Sequence, residues 1–110
     1  DEILQIIYFD FDKSGLTEVS LEEIKRFLNK YSRKIKKYLI IGHTDTMGTK
    51  KYNYKLSLER AIAVKKILID NNINEEDIKI IAKGEDDLLI KTADETKHPA
   101  NRRAAISPIN

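Results

Sequence analysis

Apolar and polar positions along the chain fall into two rhythms, one suited to strands and one to helices. The first apolar run, Ile3-Leu4-Gln5-Ile6-Ile7-Tyr8-Phe9, is β-rich and closes at Asp10 and Lys13-Ser14-Gly15, which predicts a strand. Ser20 then stands as a helix cap, with Glu23 completing a capping box. Leu21, Ile24, Phe27, Leu28 and Tyr31 follow at helical spacing, giving a helix over 18–32. A second strand is expected at 38–42, ending in the polar segment His43-Thr44-Asp45. A turn at Gly48 leads into the longest helix, 50–71, whose core face would use Leu58, Ala61, Val64 and Leu68, with Ile62 and Ile69 beside them. Asn71-Asn72 ends it, because Asn tolerates the left-handed conformation that stops helices. A third strand at 78–82 precedes Gly84, a long polar loop from Glu85 to Pro99, and a fourth strand at 102–107.

The order β-α-β-α-β-loop-β describes an α/β fold, a two-layer sandwich with helices on one face of a mixed four-stranded sheet. Strand order cannot be read from spacing, and the direction of the fourth strand stays open. Parallel strands direct their carboxyl ends to one edge, where ligands collect. Asp10, Asp12, His43, Asp45 and the first half of the second helix would share that edge.

Composition narrows the functional classes. A length of 110 residues fits one domain, 1–110, and 41% hydrophobic residues are enough for a core, so the 35% charged residues form a solvated exterior. Twenty basic residues against eighteen acidic ones leave +2, too balanced for a nucleic-acid binder. The basic run Arg33-Lys34-Ile35-Lys36-Lys37 reads as a solvated helix end. Without cysteine there is no disulfide, no thiolate metal site and no cysteine nucleophile. No run reaches the length of a membrane span, and Asp1-Glu2-Ile3 is not a signal peptide. An exported protein would carry its targeting segment or anchor upstream of these residues.

Three constellations carry chemistry. Asp10-Phe11-Asp12-Lys13-Ser14-Gly15 imitates the start of a calcium loop, but the twelfth position is Leu21 and a strand precedes it, so a strand end with a turn is the better reading. His43 and Asp45 would face the same way on an extended segment, as a metal or acid–base pair does. The only other histidine is His98, however, so no metal site is expected and a packed His43 is favoured. Asn53, Leu56 and Arg60 lie on one helical stripe. Together with Asp45 at the neighbouring strand end they would present a fixed anion and a fixed cation, which suits a zwitterionic ligand.

Gly42-His43-Thr44-Asp45-Thr46-Met47-Gly48, then Asn53, then Leu56-Ser57-Leu58-Glu59-Arg60-Ala61, resembles the signature of the OmpA-like peptidoglycan-binding domain family. The likeness extends to Phe9-Asp10-Phe11-Asp12, Gly84-Glu85 and Asn101-Arg102-Arg103, in the family's order. The resemblance implies a non-catalytic module without cofactor that holds the stem peptide of peptidoglycan through its diaminopimelate residue. Asp45 would pair with the ligand's ammonium and Arg60 with its carboxylate. Phe11, Asp12, Asn53 and Leu56 would complete the pocket, with Thr44, Arg102 and Arg103 in support. The resemblance also implies a periplasmic setting, a membrane anchor or barrel in the parent protein, and a homodimer in stator-like members. Alanine at Asp45 or Arg60 would then abolish wall binding and leave the fold intact. The rivals are a stator-like anchor of a membrane motor, a metal-dependent hydrolase using His43 and Asp45, and a scaffold that binds only protein. Two positions depart from the family: Asn72-Ile73 replaces Gly-Ile, and the proline usual after Gly84-Glu85 is missing before Leu88-Leu89-Ile90, which leaves that loop's conformation open.

Overall fold

A computed structural model describes residues 2–110, so Asp1 of the opening Asp1-Glu2-Ile3 lies outside it. In chain order the main elements are β1 (Gln5–Tyr8), α1 (Glu18–Tyr31), β2 (Tyr38–Gly42), α2 (Lys50–Asp70), β3 (Ile78–Ala82) and β4 (Arg103–Pro108). Short 3-10 turns occupy Glu75–Asp77 and Pro99–Asn101. The architecture is the expected two-layer sandwich. Its sheet order, β1-β4-β2-β3, is what spacing left open. β4 inserts between β1 and β2 and runs antiparallel to both, whereas β2 and β3 pair in parallel with Ile40 opposite Ile80. The first residues of β4 therefore meet the carboxyl ends of β1 and β2.

β2 and β3 have their predicted bounds, and the other elements depart slightly from theirs. β1 is shorter than 3–9, although Leu4 and Phe9 still donate backbone hydrogen bonds to Ile106 and Arg102. Thr17, not Ser20, caps α1: its side chain accepts from Ser20 N at 3.1 Å, while Ser20 lies buried inside the helix. Thr49 caps α2 in the same way, accepting from Tyr52 N at 3.1 Å. Asn71 and Asn72 end α2 as anticipated, with Asn72 at φ 72°.

One face of the sheet and both helices enclose the core, where Ile7, Ile40 and Ile106 pack with Ile24, Phe27 and Val64. On α2 the buried stripe is Asn53, Leu56, Ser57, Arg60, Ala61, Val64 and Leu68. The expected neighbours Ile62 and Ile69 point outward, and Leu58 is only half-buried. At 100° per residue these positions turn away from the stripe. Half of the inward face near the site is therefore polar. Helix and sheet touch there backbone to backbone, since a Cβ added at Gly42 would sit 1.8 Å from the Ser57 carbonyl oxygen.

The opposite face carries His43 and Arg103. His43 N donates to the Arg103 carbonyl at 2.8 Å, and its ring is only 3% exposed. Arg103 reaches the Asp87 carbonyl at 3.1 Å, which pins the segment after Gly84 over this face. Asn101 fixes the next stretch by donating to the Ile90 carbonyl and accepting from the Ile90 amide, both at 2.8 Å. The Leu88-Leu89-Ile90 run is thus held by an amide that imitates a strand partner. Burial, reinforced by the Arg103 charge, lowers the His43 pKa to about 4.

Two outcomes follow from this packing. Gly42→Ala must separate β2 from α2 and is expected to lose about 2 kcal/mol or more in urea unfolding, whereas a loss near zero would contradict the close approach. His43 titrates lower in the folded chain than its ordinary 6.5, so the unfolded state binds more protons between those values. Stability from a neutral His43 is full above pH 6.5 and should fall by about 3 kcal/mol as pH drops to 4. Urea titrations of the protein and of His43→Gln check this, since the variant should lose that part of the slope.

Candidate ligand-binding site

A cavity of about 410 Å³ opens at the edge where the strands end. Its wall is formed by Phe11 and Asp12 after β1, Asp45, Met47 and Gly48 after β2, and Tyr52, Asn53, Leu56 and Arg60 on α2, with Glu95 from the loop before β4. Phe11, Asp12, Asp45, Asn53, Leu56 and Arg60, scattered over fifty residues, are therefore brought together by the topology.

Arg60 is the floor. It is 0% exposed, and its guanidinium donates from Nε to the Lys13 carbonyl at 2.9 Å, from NH1 to the His43 carbonyl at 2.9 Å and from NH2 to the Asp10 carbonyl at 3.2 Å. It also stacks over the Phe9 ring, 5.3 Å from the centroid. Burial lowers its pKa to about 10, and Asp45 and Asp12 pull in the other direction, so it remains a cation at neutral pH. This placement corrects one expectation. Arg60→Ala would strip donors from three carbonyls, each a loss of about 1–3 kcal/mol where buried, so the fold would not survive unchanged.

Asp45 is 4% exposed and already engaged. Its Oδ1 accepts from Met47 N at 3.2 Å, and its Oδ2 accepts from His98 N at 3.2 Å and faces Arg102 NH1 at 3.5 Å. Arg102 in turn donates to the Phe9 carbonyl at 3.1 Å, so it ties the ends of β1 and β2 together behind the cavity. Asn53 bridges the Asp45 carbonyl at 3.3 Å and the Glu85 carboxylate at 3.0 Å. Thr44 does not line the cavity: its hydroxyl donates to the Asp45 carbonyl and its amide to Gly84. Arg103 lies on the other face of the sheet, beside His43. Among the described residues no group of three His, Cys, Asp or Glu side chains stands close enough to hold a metal ion.

Four wall residues were not anticipated. Tyr52 precedes Leu56 by four positions and Arg60 by eight, so helical spacing could have found it. Its hydroxyl donates to the Asp12 carboxylate, and Asp12 itself sits at φ 58°. Met47 and Gly48 belong to the turn, with Gly48 at φ 91°. Glu95 has no local signal. It is delivered by Thr46, whose hydroxyl donates to the Ala93 carbonyl at 2.7 Å and accepts from Thr96 N at 3.0 Å, while the Thr46 carbonyl accepts from Glu95 N at 3.2 Å. Phe11 is half-exposed with Lys97 Nζ 4.1 Å above its ring. The wall thus offers carboxylates (Asp12, Asp45, Glu95), a buried guanidinium, and an apolar side of Phe11, Met47 and Leu56. It can receive a short apolar chain that ends in both an ammonium and a carboxylate.

Comparison with known proteins shows the family. The OmpA family model matches residues 8–102. The chain is 33% identical over 104 residues to outer membrane porin F of Pseudomonas fluorescens, covering 92% of this chain and 31% of that protein. It is 32% identical over 104 residues to the peptidoglycan-associated lipoprotein of Pasteurella multocida, covering 92% of this chain and 68% of the relative. Among solved structures, the peptidoglycan-associated lipoprotein of Burkholderia pseudomallei superposes with a TM-score of 0.80 at 26% identity, covering 94% of this chain and 88% of the other. The chain spans about a third of the porin's length, so it corresponds to one part of such a protein. With the family model running from the end of β1 to the start of β4, the chain belongs to the OmpA family.

Proposed function

We propose that the cavity binds peptidoglycan non-catalytically, through the diaminopimelate residue of its stem peptide, and thereby tethers a membrane-anchored parent protein to the wall from the periplasm. The observation that carries this reading is a single wall on which Asp45 and Arg60 stand as opposite charges beside the apolar Leu56 and Phe11. A diaminopimelate side chain is a short alkyl stem bearing an ammonium and a carboxylate on one carbon, the complement of that wall. Membership of the OmpA family, and relatives named as peptidoglycan-associated lipoproteins, support it.

Each pole has capacity to spare. Of the five N–H groups of an arginine, three serve the Lys13, His43 and Asp10 carbonyls, which leaves 5 − 3 = 2 for a ligand carboxylate. Asp45 accepts a backbone amide on each oxygen and Arg102 as well on Oδ2, which fixes its direction and leaves a lone pair on Oδ1 for an ammonium. Each charge-assisted hydrogen bond contributes roughly 1.5–3 kcal/mol net. Association and ordering consume several kcal/mol of that gain. One domain should therefore bind weakly, and retention comes from rebinding along a wall that presents many stems. A lysine stem lacks the carboxylate and leaves Arg60's spare donors unpaired.

Asp45→Asn removes the anionic pole while keeping the side chain's size. It is expected to reduce co-sedimentation with diaminopimelate-type sacculi at least about tenfold, with its folded state checked by circular dichroism. Lysine-type sacculi should bring down little of either protein. Equal pelleting of both proteins with both kinds of sacculi would overturn the assignment.

A further inference from the structure

The charged groups of the cavity are not waiting in the open. Arg60 has no exposed surface, yet a ligand carboxylate has to reach it. Two links fasten the turn at 10–13 to α2. The lower one is Arg60 itself, bound to the Asp10 and Lys13 carbonyls. The upper one joins the Tyr52 hydroxyl, in the first turn of α2, to the Asp12 carboxylate. Tyr52 is about half-exposed, so this link lies at the solvent side of the wall, whereas the guanidinium is fully buried. Asp12 holds a left-handed backbone at φ 58°, which turns its carboxylate toward α2.

We infer that Tyr52 sets the specificity of the cavity: by holding Asp12 it keeps the Arg60 guanidinium covered, and only a ligand carrying a free ammonium displaces it. The inference rests on the reading of the site as a clamp for a zwitterion. A phenol hydroxyl is a neutral donor to Asp12. A primary ammonium makes a bond in which both partners are charged, shorter and stronger than the one it replaces. Such a ligand, seated on Asp45, also wins Asp12 from Tyr52; the Tyr52 ring swings out while Arg60 keeps its hold on the Asp10 and Lys13 carbonyls, and its two spare donors become reachable. An acylated amine brings no charge and leaves the link in place. The hydrogen bond to Asp12 is also the main reason that the Tyr52 phenol titrates above its ordinary value, so at neutral pH it stays protonated as a donor. In chemical terms, the cavity selects stems whose diaminopimelate amine has not been consumed in a cross-link.

Tyr52→Phe removes only the hydroxyl from a half-exposed ring, so its thermal midpoint should match that of the unaltered protein. Calorimetric titration compares the two proteins with a stem tripeptide ending in diaminopimelate and with the same peptide acetylated on its side-chain amine. The variant is expected to bind the free-amine peptide about tenfold more tightly, because no hydroxyl has to be displaced. The acetylated peptide should bind the unaltered protein only weakly and should gain in the variant by at least as much, so that the preference for the free amine narrows. If the unaltered protein binds the free-amine peptide and the variant binds it no better, Tyr52 does not gate the cavity. If the unaltered protein binds neither peptide, the zwitterion reading fails, and this inference with it.

Discussion

A guanidinium with no exposed surface organises this protein's functional edge. Arg60 gathers the Asp10 and Lys13 carbonyls after β1 and the His43 carbonyl after β2. Those carbonyls belong to chain leaving the sheet, where no strand partner remains to satisfy them. Burying a cation is unfavourable in itself, as its pKa of about 10 records. The arrangement persists because the guanidinium meets carbonyl oxygens along its whole fork, with the Phe9 ring below and the carboxylates of Asp45 and Asp12 near enough to favour the charged form. One residue therefore shapes the two turns that carry the cavity wall and supplies the wall's cationic pole.

The rest of the fold makes that position available. β4 inserts between β1 and β2, which sets Arg102 beside the ends of both strands. There it neutralises Asp45 from behind. Gly42 lets α2 come into backbone contact with the end of β2, so that Arg60, one turn beyond Ser57, reaches under the strand ends. Ser57 completes the junction by accepting from Gly84 N at 2.8 Å, which locks β3's exit to the same helix. Side-chain size is limited at this junction because backbone fills the space.

Much of this was legible in the sequence, and the parts that were not share a cause. The stripe Asn53, Leu56, Arg60 and the polar strand ends are local patterns, and the structure places them on one wall together with Phe11, which only the family resemblance suggested. The Asn71-Asn72 stop was equally local. The caps were less so: Ser20 and Glu23 satisfied the pattern for a capping box, but Thr17 stands one step before the first helical residue and takes the amide that matters. Ile62 and Ile69 are apolar yet exposed, whereas the stripe facing the sheet near the site includes Asn53, Ser57 and Arg60, so apolarity alone does not mark the buried face. The insertion of β4, the delivery of Glu95 by Thr46 and the tie between Tyr52 and Asp12 depend on contacts between segments forty or more residues apart. No spacing rule encodes those.

Rigidity below and a breakable link above give the site its character. The floor is fixed by three hydrogen bonds from Arg60 to backbone carbonyls, while the solvent side is fixed by one side-chain pair, Tyr52 and Asp12, which we infer a cation displaces. In this account affinity is modest, selectivity comes from requiring two opposite charges on one carbon, and retention comes from the polymer. The most direct test observes the Arg60 Nε–H resonance by NMR while stem tripeptides are added. A tripeptide ending in diaminopimelate should shift that resonance in a saturable way, and the lysine counterpart should leave it in place. A resonance that ignores both peptides, or answers both alike, would contradict the claim that Arg60 receives the ligand's second carboxylate.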